Sequence, residues 1–127
     1  MARQRILVVE DNERNMKLFR DVLEASGYHV LEAATGREGV ELATEHGPDL
    51  VLMDIRLPDT DGVEALALLR AHARTASTPV LALTAQAMEG DRERFLAAGF
   101  DGYLSKPVDV TALIGSVREH CHGRGRA

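Results

Sequence analysis

Apolar residues fall along this chain in two alternating patterns. Short unbroken runs occur at Ile6-Leu7-Val8-Val9, at Leu50-Val51-Leu52-Met53, and at Val80-Leu81-Ala82-Leu83 just after Pro79. Four apolar residues without interruption suit a strand buried on both faces, as in a parallel sheet. His29 to Ala33 and Gly102 to Leu104 read as two weaker strands. Between the runs the spacing is helical. Met16, Phe19 and Leu23 share one face and stop before Gly27. Thr35 and Glu38 have capping-box spacing ahead of Val40 and Leu42-Ala43. Val63, Leu66 and Leu69 mark a helix over residues 61–73, a further helix over 88–98 stops at Gly99, and Val110, Leu113, Ile114 and Val117 form the last stripe.

Strand and helix thus alternate five times. That pattern predicts an α/β fold, a doubly wound (βα)5 unit with helices on both faces of a five-stranded parallel sheet. Right-handed crossovers leave few topologies, and the flavodoxin-like order 2-1-3-4-5 is the natural one.

A length of 127 residues fits one domain. With no Trp and only 4% aromatics, its core must be built from Leu, Val, Ile and Ala. Residues 1–122 read as the domain, and Gly123-Arg124-Gly125-Arg126-Ala127 as a disordered tail. A net charge of −5 makes direct nucleic-acid binding a poor expectation. Cys121 is the only cysteine, which excludes an internal disulfide. The apolar run after Arg5 is too short for a signal peptide or membrane span, so a cytoplasmic protein is expected.

In open α/β sheets ligands bind beyond the carboxyl ends of the strands. The residues that follow the runs are Glu10-Asp11 after the first, Asp54 after the third, Thr84 after the fourth, and Ser105-Lys106 after the fifth. The second run is followed by Ala34, consistent with an edge strand. Taken singly, each polar residue is best explained as a cap, a turn former or a surface group. Together they place three carboxylates at one end of the sheet. Such a cluster repels itself and calls for a hard divalent cation such as magnesium. A cation, the Lys106 ammonium and the Thr84 hydroxyl around a carboxylate make a site for a phosphoryl group. A carboxylate that attacks phosphorus gives an acyl phosphate.

The motifs Ile6-Leu7-Val8-Val9-Glu10-Asp11-Asn12, Asp49-Leu50-Val51-Leu52-Met53-Asp54, Leu57-Pro58 with Asp61-Gly62, Leu83-Thr84-Ala85 and Lys106-Pro107 stand in order along the chain. In this they resemble bacterial two-component response-regulator receiver domains, of the CheY-like superfamily, over roughly Arg3 to Cys121. The segment Val9 to Arg20 is similar to single-domain regulators of the DivK kind, and to receivers fused to hybrid kinases. The resemblance implies a role for each matching position. Asp54 stands as phosphoacceptor. Glu10 and Asp11 stand as the acidic pair of the magnesium site, with Asp11 the direct ligand. Arg56 offers a backbone carbonyl to the metal. Thr84 is the switch hydroxyl, Lys106 the lysine that pairs with the phosphoryl group, and Tyr103 the aromatic switch. A cis Lys106-Pro107 bond is implied as well. Arg56 and Gln86, two residues beyond Asp54 and Thr84, are expected to set the lifetime of the phosphoryl group. The implied donor is a histidine kinase or a histidine phosphotransfer protein, and the implied output is a downstream protein. The implied state is a monomer or a phosphorylation-dependent dimer.

Bland readings stand beside these. Tyr103 also suits a half-buried core ring, Ser105 a loop hydroxyl, and His120, Cys121 and His122 a frayed terminus. A phosphohydrolase of the haloacid-dehalogenase type would want an Asp where Arg56 stands, and a cap insertion that is absent. A nucleotide or flavin module would want a Gly-rich loop after the first strand, where Glu10-Asp11-Asn12 would repel phosphate. A receiver-like interaction module that ignores phosphate would usually have lost one of the acidic residues or the lysine, all of which are present.

Overall fold

The computed structural model describes residues 3–85 and 90–124. Its elements are β1 (Arg5–Val9), α1 (Glu13–Ala25), β2 (His29–Ala33), α2 (Gly36–His46), β3 (Leu50–Asp54), α3 (Gly62–Ala71), β4 (Val80–Thr84), α4 (Asp91–Ala98), β5 (Gly102–Ser105) and α5 (Val110–Arg124). Every strand pair is parallel and the sheet order is 2-1-3-4-5, as the alternation predicts.

Strand residues alternate between two cores. Ile6, Val8, Leu50, Leu52, Leu81 and Leu83 face one side, where Met16, Phe19 and Leu23 of α1 meet Leu113 and Val117 of α5. Leu7, Val9, Val51, Met53, Val80 and Ala82 face the other, against Ala43 of α2, Ala65, Leu66 and Leu69 of α3, and Phe95 of α4. Burial on both faces is why β1, β3 and β4 read as unbroken apolar runs.

Local chemistry sets where the helices begin and end. Asn12 caps α1 by accepting from the Asn15 N–H at 3.0 Å. At α2 the Thr35 half of the predicted capping box forms, with Thr35 Oγ1 accepting from the Glu38 N–H, while Glu38 Oε1 reaches one residue further back and accepts from the Ala34 N–H. Asp61 caps α3. Gly47 and Gly99 end α2 and α4 in the left-handed conformation that favours glycine.

Two expectations need correction. Val63 lies on the exposed side of α3, and Gly62 and Ala65 take the inner face. Four-residue steps back from Leu66 and Leu69 reach Gly62 and Ala65 on the same face, whereas a second consecutive three-residue step, from Leu66 to Val63, drifts off it. Cys121 is not part of a frayed end; it continues the Leu113–Val117 row by one more four-residue step and is fully buried. α5 is described through Arg124. Residues 125–127 lie outside the described residues, as does the start of the helix expected from Met88; α4 is described from Asp91. Among the described residues, no helix is long and apolar enough to cross a membrane.

Candidate functional site

The parallel register brings the carboxyl ends of β1, β3 and β4 into one row. Val9 pairs with Met53, Asp54 with Leu83, and Thr84 with Ser105. The next backbone bonds carry the row onward: Glu10 N–H donates to the Ala33 carbonyl, Ile55 N–H to the Leu83 carbonyl, and Lys106 N–H to the Thr84 carbonyl. The polar residues that follow the apolar runs are thereby delivered to one open cleft of about 910 Å3, lined by Glu10, Asp11, Asp54, Arg56, Thr84 and Lys106 among others.

Lys106 is the centre of the arrangement. Its ammonium donates to Asp54 Oδ2 at 2.6 Å and lies 2.7 Å from Glu10 Oε1. The second contact is an ion pair without hydrogen-bond alignment, because Glu10 Oε1 is buried with no hydrogen-bond partner. The other oxygens are held by backbone: Arg56 N–H donates to Asp54 Oδ1 at 2.9 Å, and Asn12 N–H donates to Glu10 Oε2 at 3.1 Å. The plane of the Asp54 carboxylate is therefore fixed from both sides, while each oxygen keeps a second lone pair.

Burial pushes the Glu10 carboxyl above its ordinary range and the Asp54 charge adds to the rise, against the lowering effect of Lys106 and the Asn12 amide. Burial pulls the Lys106 ammonium down, but the Asp54 hydrogen bond and the close negative charges of Asp54 and Glu10 outweigh it and leave the group raised. One ammonium thus faces Glu10 and Asp54, with Asp11 exposed beside them. Oxygens of Glu10, Asp11 and Asp54 lie within 4.8 Å of one another. Three hard oxygen donors at that spacing fit a magnesium-sized cation.

Tyr103 is not in the cleft. Its ring is half-buried and packs on Phe95 with centroids 5.8 Å apart, beside a separate hollow between α4 and α5. Ser105 is exposed at the end of β5. The Lys106–Pro107 bond is cis. Gln86 lies outside the described residues. Asp91 and Arg94 of α4 also line the cleft, 2.9 Å from each other, and neither stood out in the sequence. Only an acidic residue that packs inward at the start of a helix could have hinted at Asp91, which is 8% exposed.

Residues 6–118 match the response regulator receiver domain. The chain is 46% identical to the polar-differentiation response regulator DivK of Brucella ovis over 115 residues, 91% of this chain and 94% of that protein. It is 39% identical to the receiver domain of a Pseudomonas aeruginosa sensor histidine kinase, whose structure holds magnesium in the active site cleft. That match has a TM-score of 0.87 and covers 95% of this chain and 99% of the other. The chemotaxis protein CheY4 of Vibrio cholerae superposes with the same TM-score at 27% identity, over 93% and 98% of the two chains. The chain belongs to the response regulator receiver family, whose members are the switches of two-component signalling.

Proposed function

We propose that Asp54 accepts a phosphoryl group from a phosphohistidine of a histidine kinase or histidine phosphotransfer protein, and that the acyl phosphate changes the surface offered to a downstream protein. The observation that carries this reading is the Lys106 ammonium bridging Asp54 Oδ2 and Glu10 Oε1 at the mouth of the cleft. An Asp54 oxygen attacks phosphorus, the phosphorus–nitrogen bond of the donor breaks, and the neutral imidazole leaves. Glu10, Asp11, Asp54 and the Arg56 carbonyl would hold a magnesium ion, which when bound would neutralise charge at the phosphoryl oxygens.

Lys106 then exchanges its carboxylate contact for a phosphoryl oxygen. Thr84, nearly buried beside the cleft, follows toward the same group. Tyr103, half-buried against Phe95, moves inward in step, which shifts a two-state equilibrium of the α4–β5–α5 face. The chemistry is confined to the chain's own acquisition and loss of the phosphoryl group, in the cytoplasm, with the monomer or a phosphorylation-dependent dimer as the active form. Arg56, exposed at the rim, regulates access of water. Likeness to the histidine-kinase receiver supports a second setting, a receiver within a larger hybrid kinase, with the same chemistry.

The test is the intact mass after incubation with acetyl phosphate, with and without magnesium. A magnesium-dependent gain of about 80 Da for one phosphoryl group, lost in Asp54→Asn, is expected. No gain from acetyl phosphate or from a cognate kinase would leave a phosphorylation-independent interaction module as the better reading.

A further inference from the structure

The loop between β3 and α3 carries Arg56, whose amide holds Asp54 and whose carbonyl is assigned to the metal. Its two roots are fixed by backbone alone. Gly62 N–H donates to the Ile55 carbonyl at 2.8 Å, and a Cβ on Gly62 would meet the Asp54 carbonyl oxygen at 2.6 Å. Leu57 N–H donates to the Thr60 carbonyl, and Arg56 pairs with Asp61. The tip, residues 58–60, is held by two side chains: Thr60 Oγ1 donates to Glu64 Oε2 of α3 at 2.7 Å, and a second side chain reaches across to α2.

That side chain is Asp59. It is exposed, yet its Oδ1 accepts from the Gly36 N–H at 2.8 Å and its Oδ2 from the Arg37 N–H at 3.0 Å. These are the first two amides of α2, which a helix cannot satisfy internally. Thr35 already takes the third, at Glu38. The helix therefore has a complete cap only when the loop is docked on it. A carboxylate is the favoured group there, because the helix dipole is positive at that end. The docking is also steric: a Cβ on Gly36 would meet Thr60 Cγ2 at 2.3 Å, so the loop tip and the helix start approach as closely as a glycine allows.

We propose that Asp59 is a positioning residue of the phosphoacceptor site, a clamp that seats the Arg56 backbone in the cleft by fastening its loop to α2. The β2–α2 unit contributes none of the residues that line the cleft. Through Asp59 it nevertheless sets the geometry of the metal site. The two amides also hold the Asp59 carboxyl below the ordinary carboxylate range, so the clamp is charged at neutral pH. The inference rests on the reading of the cleft as a magnesium site.

The experiment is calorimetric titration of magnesium chloride into the full chain, for wild type, Asp59→Ala, Asp59→Asn and Thr35→Ala, with urea unfolding of each. Thr35→Ala uncaps the same helix without touching the loop, so it controls for stability. Asp59→Ala is expected to raise the magnesium Kd about tenfold, as loss of an outer partner of a metal ligand does. Thr35→Ala is expected to lower the unfolding midpoint and leave Kd within about twofold. Asp59→Asn keeps the shape and one acceptor oxygen; it is expected to fall between wild type and Asp59→Ala, and it carries the test should Asp59→Ala not fold. Kd unchanged in the folded Asp59 variants, or moved as far by Thr35→Ala, overturns the clamp alone. A wild type that does not bind magnesium overturns the functional reading and the clamp with it.

Discussion

The two ends of the sheet handle charge in opposite ways. At the amino ends of the strands, Arg70 of α3 donates to the carbonyls of Ala76, Thr78 and Gly99 and to Asp101 Oδ2. Asp101 in turn accepts from the Val80 N–H, and Asp49 from the Arg5 N–H. Each cation and anion there finds partners in fixed backbone, and strands, loops and helix ends are tied together. At the carboxyl ends, three carboxylates gather while the Lys106 ammonium pairs with two of them, and one buried oxygen lacks an aligned donor. The saturated end holds the fold. The end with surplus negative charge is incomplete by itself and is completed by what binds there.

Substitutions that remove a charge at the two ends should therefore differ in sign and in their response to magnesium. The largest effect is expected for Arg70→Ala, a loss of about 2 kcal/mol for hydrogen bonds from a charged, partly exposed donor. Urea unfolding should show the lower midpoint, with the stabilisation by magnesium the same as in wild type. A changed magnesium response would break the separation of the two ends.

Next comes Gly62→Ala, where the added methyl meets the Asp54 carbonyl oxygen. About 1.5 kcal/mol is expected for overpacking at a site with no room. Phosphorylation from acetyl phosphate should slow as well, since the backbone of the acceptor itself must shift. Normal kinetics in a destabilised variant would show that the acceptor tolerates displacement.

Asp11→Asn is expected to go the other way. Removal of one negative charge from the cleft should stabilise the metal-free protein by about 0.5 kcal/mol, the scale of an exposed charge pair. It should also abolish the rise in unfolding midpoint that magnesium gives wild type. A lower midpoint without magnesium would mean that the carboxyl end is not overcharged.

The smallest effect is one of pH. The Asp59 carboxyl is held below its ordinary value of 3.8 by the Arg37 and Gly36 amides. A carboxyl lowered on folding stabilises above its unfolded value, and that stability is lost as pH falls through the lowered one. The wild-type urea midpoint should therefore drop more steeply below 3.8 than that of Asp59→Asn. Parallel curves would show that the exposed carboxylate contributes nothing to folding.

Much of this was legible in the chain, and the reason is geometric. β1, β3 and β4 are sandwiched between helices, so each carries four unbroken apolar residues, and the polar residue after the run marks the carboxyl end of the strand. The rule that ligands sit beyond those strand ends then singles out Glu10, Asp11, Asp54 and Thr84, and β5 adds Lys106. The Thr35 cap on Glu38 was readable because both partners lie within one helical turn. Asp59 and Arg70 were not readable. Their partners lie 22 to 31 residues away for Gly36, Arg37, Gly99 and Asp101, and most of them are backbone groups. A bond to a main-chain atom leaves no mark on the partner's residue type. Val63 misled because a three-residue step resembles helical spacing locally and departs from it over two turns.

Cys121 has a consequence for chemistry on the bench. The only thiol in the sequence is fully buried on the last inner rung of α5. An alkylating reagent can reach it only while that end of the helix is lifted from the sheet. The rate of alkylation therefore clocks the opening of α5 in a single place, without a label or an engineered probe. Phosphorylation that loosens this face would speed the clock, and a target protein seated on it would stop it.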